Sequence, residues 1–242
     1  MVRVWWLARG EDALPADPRW LTPQEAQRAA RLRYPKRRTE YLLRRLTAKH
    51  AVATISGLPV DLSGLARIEV ANAPTGAPYV LLDGVPTELE VSISDRAGWA
   101  VCVLGDGAVG CDLELIEPRS PAFVRDFLTE TEQSYVAGQP DPHLAANLLR
   151  SAKESALKVL RTGLRRDSRS VAVTVEDGRP GTWSRLTVHT SGGPTLPGWW
   201  RRDGRYLLTV AGERPGSPPV ALEDPGVLAA AVPVHSWLGR PH

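Results

Sequence analysis

Helix-like and strand-like segments follow one another twice along this chain, and that order constrains the fold more than any other feature of the sequence. Thr22-Pro23 marks a helix start, because a threonine cap precedes a proline at the first helical position. Apolar periodicity predicts helices over residues 22–34, 36–55, 120–137 and 143–161. Strands are predicted over residues 66–70, 79–82, 90–94, 99–104, 109–115, 170–177, 183–190 and 205–211. Helices then strands, twice over, predict an α+β fold with two similar halves.

The boundary between the halves is predicted near a glycine-rich turn. We place the N-terminal half at residues 1–106, the C-terminal half at 107–214 and a Pro/Gly-rich extension at 215–242. The strands 99–104 and 109–115 flank Gly105-Asp106-Gly107 and are predicted to form a hairpin.

Length and composition limit the class of protein. At 242 residues and 43% hydrophobic, the chain can bury an ordinary core and is expected to be globular. It has no run of the roughly 18 apolar residues that a membrane helix needs, and its N-terminal apolar patch is too short for a signal peptide, so no membrane partner and a cytoplasmic location are expected. Cys102 and Cys111 lack metal-ligand spacing and are expected to be buried free thiols.

Charge is strongly segregated along the chain. Residues 28–50 hold nine Lys or Arg against Glu40, residues 106–132 are acidic, and residues 150–169 are basic again. Such alternation favours an anionic partner held by two basic segments, with an acidic cluster between them that would bind a cation. Solvated helix faces are the alternative. No recognised nucleic-acid-binding motif accompanies the basic segments, so no nucleic-acid partner is expected.

The stretch Val109-Gly-Cys-Asp-Leu-Glu-Leu115 carries two acids inside an apolar strand. Side chains at i and i+2 of a strand leave the same face, so Asp112 and Glu114 point together while Cys111, Leu113 and Leu115 face the core. Two close carboxylates need a shared proton, a basic partner or a divalent metal. Their hard oxygens suit Mg²⁺, although an exposed edge strand with ordinary acids has the same pattern.

A second cluster of charged residues lies on the predicted helix 143–161. Glu154 and Lys158 share one face of this helix, opposite an apolar face that contains Ala152 and Ala156. A third carboxylate beside cations is the set that holds a metal-bound pyrophosphate, although an ordinary i to i+4 pair on a surface helix has the same spacing. Arg45 and Lys49, also four residues apart, are predicted to present two cations to one partner.

These motifs together resemble a known family. Val-Gly-Cys-Asp-Leu-Glu and Lys-Glu-Ser-Ala-Leu-Lys are similar to the G-x-D-x-E and K-E-(A/S)-x-x-K signatures of the 4′-phosphopantetheinyl transferases, in the two-halved surfactin-synthetase-activating class. Four further segments resemble the family in the expected order, so that the likeness spans about residues 20–212: the basic helix with Arg45 and Lys49, Gly76–Tyr79, Ile93-Ser94 ahead of Trp99, and Phe127–Glu132.

The resemblance implies a fold and a reaction. The fold is a pseudo-twofold duplication, each half a helix packed on a small antiparallel sheet, with the active site in the cleft between halves. The reaction is transfer of the 4′-phosphopantetheine arm of coenzyme A to a serine of an apo acyl or peptidyl carrier protein, in polyketide or nonribosomal peptide biosynthesis. Magnesium is the implied cofactor, and a monomer is expected.

The resemblance also assigns roles to residues. Asp112, Glu114 and Glu154 would bind Mg²⁺. Glu154 would also be the base for the incoming serine, and Lys158 the catalytic cation at the phosphates. Coenzyme A would be bound by Lys158, Arg45 and Lys49, and by Ser94 and Lys153.

Four positions depart from the family pattern. Asp95 and Arg96 stand where the family has histidine and serine, Ala77 replaces a lysine, and Arg150 replaces an aromatic residue. Asp95 would repel the 3′-phosphate of coenzyme A, while Arg96 could restore a phosphate contact. Arg150 could supply a replacement cation or be only a solvated end of the helix. The alternative function is therefore a divergent member that no longer uses coenzyme A, either a different enzyme acting on carrier-bound or phosphate-bearing substrates or a non-catalytic carrier-binding protein.

Overall fold

Residues 3–161, 167–214 and 216–234 are described by a computed structural model, which has the mixed α+β composition predicted from the sequence. The basic residues Arg165 and Arg166 and the end of the predicted extension, residues 235–242, lie outside the described residues. The helices are α1 Pro23–Arg31, α2 Pro35–Ser56, α3 Leu62–Ala66, α4 Pro121–Phe127, α5 Glu130–Ala137 and α6 Pro142–Val159. The strands are β1 Val4–Gly10, β2 Ile68–Asn72, β3 Pro78–Leu82, β4 Val85–Pro86, β5 Glu90–Arg96, β6 Trp99–Gly105, β7 Val109–Leu115, β8 Val171–Val175, β9 Ser184–Thr190, β10 Thr195–Asp203, β11 Tyr206–Gly212 and β12 Val220–Ala221.

The strands form three sheets. The first has the order β12-β1-β6-β5, the second β7-β11-β10-β9-β8 and the third β2-β3-β4. The described strand pairs are antiparallel except for β12, which runs parallel to β1. The strand β12 belongs to the predicted extension, and Leu228 of the same segment is fully buried, so this part of the extension packs on the fold.

The predicted hairpin between residues 99–104 and 109–115 is wrong, although both strands exist. The two edges of β6 are occupied by β1 and β5, and β7 pairs instead with β11 in the second sheet. Ala97 and Gly98, both with positive φ, form the two-residue turn that joins β5 to β6. Asp106-Gly107 therefore carries the chain from one sheet to the other.

Two further differences have local causes. The segment 120–137 is two helices rather than one, because Thr129 and Glu132 form a capping box that starts α5. The strands β1 and β10 were not predicted. The strand β10 is not recognisable from the sequence because it contains Pro197 and Gly198, and both residue types are rare in strands. Its pairing with β11 begins only at Gly198.

A buried ion pair ties α1 to α2. The side chain of Thr22 caps α1 together with Glu25. The Lys49 Nζ atom lies 2.5 Å from Glu25 Oε2 and donates to the Trp20 carbonyl at 2.8 Å. The other carboxylate oxygen of Glu25 accepts from the Val70 amide at 3.0 Å, which joins β2 to the same group.

The same set of contacts recurs around α5 and α6. Thr129 caps α5 with Glu132, and the Lys153 Nζ atom on α6 lies 2.6 Å from Glu132 Oε2. Lys153 also donates to the Phe127 carbonyl at 3.1 Å. The Val173 amide on β8 donates to Glu132 Oε1 at 2.8 Å. In each of the two sets, one glutamate thus joins a helix cap, a long helix and a strand.

Apolar side chains form three clusters. One lies around α2, one around α6, and the third between the sheet faces of β1–β6 and β7–β11. The third cluster contains Cys111, Leu113 and Leu115, as the strand alternation predicted. Cys102 and Cys111 are buried free thiols, as predicted.

A search of the described helices finds none with the length and apolar character needed to cross a membrane.

The buried ion pairs predict a large stability effect. In Lys153→Met the carboxylate of Glu132 stays buried without its cation, so the free energy of unfolding should fall by about 3–5 kcal/mol. Urea denaturation measures this change. Lys36→Met is the control, because Lys36 is half exposed in its pair with Glu40, and it should lose no more than about 0.5 kcal/mol. A loss of less than about 1 kcal/mol in Lys153→Met would contradict a structural role for the pair.

Candidate active site

The candidate site forms where α6 packs directly on β7. Gly110, Asp112 and Glu114 leave one face of β7, opposite the residues that enter the apolar cluster between the sheets. A Cβ atom added to Gly110 would lie 2.0 Å from the Ser155 carbonyl oxygen and 3.1 Å from Lys158 Cβ. Only glycine therefore lets the helix that carries the Lys-Glu motif approach the strand that carries the two acids.

Asp112 is the most highly bonded of the predicted site residues. Its side chain is buried, and its Oδ1 accepts from Ser94 Oγ on β5 at 3.0 Å and from Lys158 Nζ on α6 at 3.3 Å. Its Oδ2 accepts from Ser151 Oγ at 2.9 Å. Ser94, predicted to bind coenzyme A, contacts Asp112, and this aspartate links three elements of the fold.

Lys158 is held as a cation where β5, α6 and β7 meet around Asp112, a region that we call the junction. Its Nζ donates to the Cys111 carbonyl at 2.6 Å as well as to Asp112. Burial lowers the pKa of Lys158, but the charge of Asp112 and weaker anionic neighbours outweigh it, so that the pKa lies above its usual value. Lys158 can therefore stabilise negative charge, but it is not a proton acceptor near neutral pH.

Glu114 lies beside Asp112 and is contacted by two arginines. Its Oε2 is 3.3 Å from Arg96 Nε and 3.6 Å from Arg119 Nη2, yet this buried oxygen has no hydrogen bond. Burial and the charge of Asp112 raise the pKa of Glu114, while the arginines oppose the shift. Arg96, considered above as a phosphate contact, instead binds Glu114 and Glu117.

Glu154 forms an ion pair with Arg150, one helical turn earlier on α6. The guanidinium of Arg150 also lies over the ring of Phe127, 4.9 Å from its centroid. Only 17% of the Arg150 side chain is exposed, so this residue is not a solvated helix end. It supplies a cation to Glu154 and none to the cleft described below.

The carboxylates do not fit a metal ion as they lie. Within residues 3–161, 167–214 and 216–234, no group of three or more His, Cys, Asp or Glu side chains is placed to hold one. The chemistry of the predicted donor set suits Mg²⁺, but both oxygens of Asp112 carry hydrogen bonds and Glu154 is paired with Arg150. The three-carboxylate set of Asp112, Glu114 and Glu154 is therefore not assembled.

A cleft of about 410 Å³ lies beside this junction, between α2, the β2–β3 turn, β5 and the end of α6. Its basic lining residues are Arg28, Arg44, Arg45, Lys158 and Arg161. Glu90 lines the cleft too and pairs with Arg161. The turn residues Gly76, Ala77 and Pro78, from the segment that resembles the family, form one wall. The cleft is thus cationic, and Lys158 connects it to Asp112.

The two cations predicted on α2 have different environments. Arg45 lines the cleft, where its guanidinium lies 4.6 Å from the Tyr41 ring centroid and donates to Asn72 Oδ1 at 2.7 Å. Lys49 is instead fully buried in its pair with Glu25. The prediction that Arg45 and Lys49 present two cations to one partner is therefore wrong, because one turn of helix carries Lys49 beneath the surface.

Lys153 also differs from its predicted role. Its side chain is fully buried between Glu132 and the Phe127 carbonyl, so it cannot reach a phosphate in the cleft. Burial lowers the pKa of Lys153, and the hydrogen bond that Lys153 donates to Glu132 opposes that shift. Lys49 and Lys153 are both structural cations in this arrangement.

Asp95 does not face the cleft as a free charge. Its Oδ1 accepts from Arg44 Nη1 at 2.5 Å, and Asp95 lines a separate pocket with Lys36 and Trp99. The ion pair with Arg44 reduces the repulsion that Asp95 would exert on a phosphate. It also partly neutralises Arg44, which is one of the cations that line the cleft.

Several site residues were missed from the sequence. Ser151 and Thr209 bond to each other at 2.9 Å beneath Asp112, and Asn72 orients Arg45. Nothing local marks these residues, because their partners are at least 27 positions away. Arg44 was visible only as part of the basic run.

The close packing at Gly110 predicts a sharp effect of one added methyl group. Gly110→Ala should lower the free energy of unfolding by about 2 kcal/mol or more, because backbone atoms of α6 must move. Thermal unfolding measures the loss. Gly212→Ala is the matched control on the paired strand β11, where the nearest atom to an added Cβ is 3.5 Å away, and it should change stability by no more than about 0.5 kcal/mol. Equal stability of the two variants would contradict this packing.

Comparison with known proteins gives a match for one part of the chain, and that part contains Asp112 and Lys158. A search of curated proteins finds no match. Residues 108–211 match the model of the 4′-phosphopantetheinyl transferase superfamily. The matched span runs from β7 to β11, so it contains Asp112, Glu114, Glu154 and Lys158 but not Arg45 or the 76–79 turn. From β7 to β11, the chain is similar to a phosphopantetheinyl transferase domain.

Proposed function

We propose that the chain transfers the 4′-phosphopantetheine arm of coenzyme A to a serine of an apo acyl or peptidyl carrier protein. The single observation that carries this proposal is the junction at Lys158, which lines the cationic cleft and also contacts the buried Asp112. The match of residues 108–211 to the 4′-phosphopantetheinyl transferase superfamily supports the same reaction.

The cleft suits the donor. Coenzyme A carries a pyrophosphate and a 3′-phosphate, and the cleft offers Arg45, held by Tyr41 and Asn72, at one side and Lys158 at the other. Arginine binds phosphate through a planar fork, and both groups are already oriented by their neighbours. We therefore assign the donor phosphates to Arg45 and Lys158 and withdraw Lys49 and Lys153 from that role.

The reaction requires a proton acceptor and charge stabilisation. The serine oxygen forms a bond to the phosphorus on the pantetheine side, and the pyrophosphate P–O bond breaks to release 3′,5′-adenosine bisphosphate. Lys158, whose pKa is raised, neutralises charge on the leaving phosphate. Glu154, about one turn before Lys158 on α6, is the proposed acceptor of the serine proton.

Asp112 is the positioning residue in this scheme. It holds Lys158 at 3.3 Å and ties β5 and α6 to β7 through Ser94 and Ser151. Mg²⁺ is implied by the resemblance, with Asp112, Glu114 and Glu154 as ligands, but these residues are not placed to bind it together. The steps above therefore use only groups of the chain.

The partner surface is proposed to be basic. Arg31, Arg33, Lys36, Arg37 and Arg38 are exposed where α1 passes into α2. Carrier proteins that expose acidic residues would be attracted to this surface, since complementary charge accelerates association.

We also propose that the two halves are copies of one ancestral unit, as the resemblance implies. The support is the repeated set of contacts described above, in which Glu25 with Lys49 and Glu132 with Lys153 have the same partners in each half.

One observation favours the second candidate function, a divergent member that does not use coenzyme A. Asp95 pairs with Arg44 at 2.5 Å, and Ala77 adds no charge to the cleft wall, so the cleft has less positive charge than the family pattern implies. A smaller anionic or carrier-bound substrate would suit such a cleft.

The transfer reaction is tested by carrier mass. Incubation with coenzyme A, Mg²⁺ and a set of apo carrier proteins should add about 340 Da, the mass of the arm, to a carrier. Asp112→Asn should reduce the rate by about 100-fold or more, because Lys158 loses its anionic partner. Asp83→Asn, in an exposed pair with Arg67, is the control and should transfer normally.

Two results would decide against this function. No mass gain with any carrier, together with no calorimetric binding of coenzyme A, would favour the second candidate. Full activity of Asp112→Asn would remove the junction from the mechanism.

A further inference from the structure

The pair between Arg150 and Glu154 involves more than two residues. The side chains of Arg150 and Glu154 are 17% and 20% exposed, so the contact is mostly shielded from water. The Arg150 guanidinium lies over Phe127, and Phe127 packs on Phe123 with ring centroids 4.9 Å apart. These are the two phenylalanines of the chain.

A second arginine completes the row on the other side of Phe123. The guanidinium of Arg119 lies 4.6 Å from the Phe123 ring centroid. Its Nε donates to Asn147 Oδ1 at 2.7 Å, and its Nη2 lies 3.6 Å from Glu114 Oε2. The aromatic pair is thus flanked by two arginines, and each arginine contacts one of the carboxylates expected to bind a metal.

Every predicted metal ligand already contacts a basic side chain. Lys158 contacts Asp112, Arg96 and Arg119 contact Glu114, and Arg150 contacts Glu154. A divalent cation would therefore enter a cluster whose charge is already compensated, and it would have to displace a guanidinium from the third carboxylate. The Glu154 oxygen that contacts the guanidinium is a poor metal ligand, because it cannot serve both cations at once.

We propose that Arg150 withholds Glu154 from divalent metals, so that this chain binds Mg²⁺ or Mn²⁺ weakly, and that removing the guanidinium frees this carboxylate as a ligand. The inference rests on the carboxylates of the proposed function but not on the transfer reaction. Phe127 acts in it as a support that keeps the guanidinium on Glu154.

Metal binding can be measured without donor or carrier. Mn²⁺, which takes the same oxygen ligands as Mg²⁺, is titrated into the full chain while electron paramagnetic resonance reports the free ion. Arg150→Gln should bind Mn²⁺ at least tenfold more tightly than the unmodified chain. Arg185→Gln is the matched control, because Arg185 also lies over an aromatic ring, that of Trp199 at 5.0 Å, and it should leave the affinity unchanged.

The Glu154→Gln variant distinguishes loss of the contact between Arg150 and Glu154 from a general loss of positive charge. In Glu154→Gln the third carboxylate is absent, so adding Arg150→Gln should bring no further gain. Arg150→Met, which keeps the packing on Phe127, should behave as Arg150→Gln does and guards against a folding defect in either variant.

Three outcomes would overturn the inference. They are equal Mn²⁺ affinity of Arg150→Gln, Arg150→Met and the unmodified chain, an equal gain from Arg150→Gln in the Glu154→Gln background, or a gain in Arg185→Gln as large as that in Arg150→Gln. Carrier modification is not measured in this experiment, so a failed transfer reaction leaves the metal result intact.

Discussion

The contact of α6 with β7 at Gly110 is the constraint on which the rest of the site depends. Because Gly110 has no side chain, the Ser155 carbonyl lies where a Cβ atom would be, and the helix reaches the strand. That approach brings Ser151 and Lys158 onto Asp112, while Ser94 reaches the same carboxylate from the first sheet. The glycine of the strand motif and the charged residues of the helix motif therefore serve one packing arrangement.

Charge compensation is the second constraint. Burying a carboxylate costs free energy unless a cation or hydrogen-bond donors accompany it, and four acids of the described residues have such partners. Glu25 and Glu132 use a lysine of the neighbouring helix, which fixes the fold. Asp112 and Glu154 use Lys158 and Arg150, which places cations at the site itself.

Local patterns predicted much of this structure and failed where long-range partners decide. Strand alternation placed Asp112 and Glu114 on one face, because that alternation is a property of the backbone. Helical periodicity showed which face of α2 carries Lys49, but not that the ammonium ends at Glu25, 24 residues earlier. The Asp106-Gly107 turn signal predicted a hairpin, although pairing depended on β1 and β11, which lie far away in sequence.

The central claim is that Lys158 joins a donor-binding cleft to the buried carboxylate junction. A crystal structure with coenzyme A tests it most directly. Our account predicts the pyrophosphate at Lys158, with the adenosine end toward Arg45 in the cleft of about 410 Å³. Coenzyme A bound elsewhere, or bound in the cleft with its pyrophosphate away from Lys158, would contradict the account.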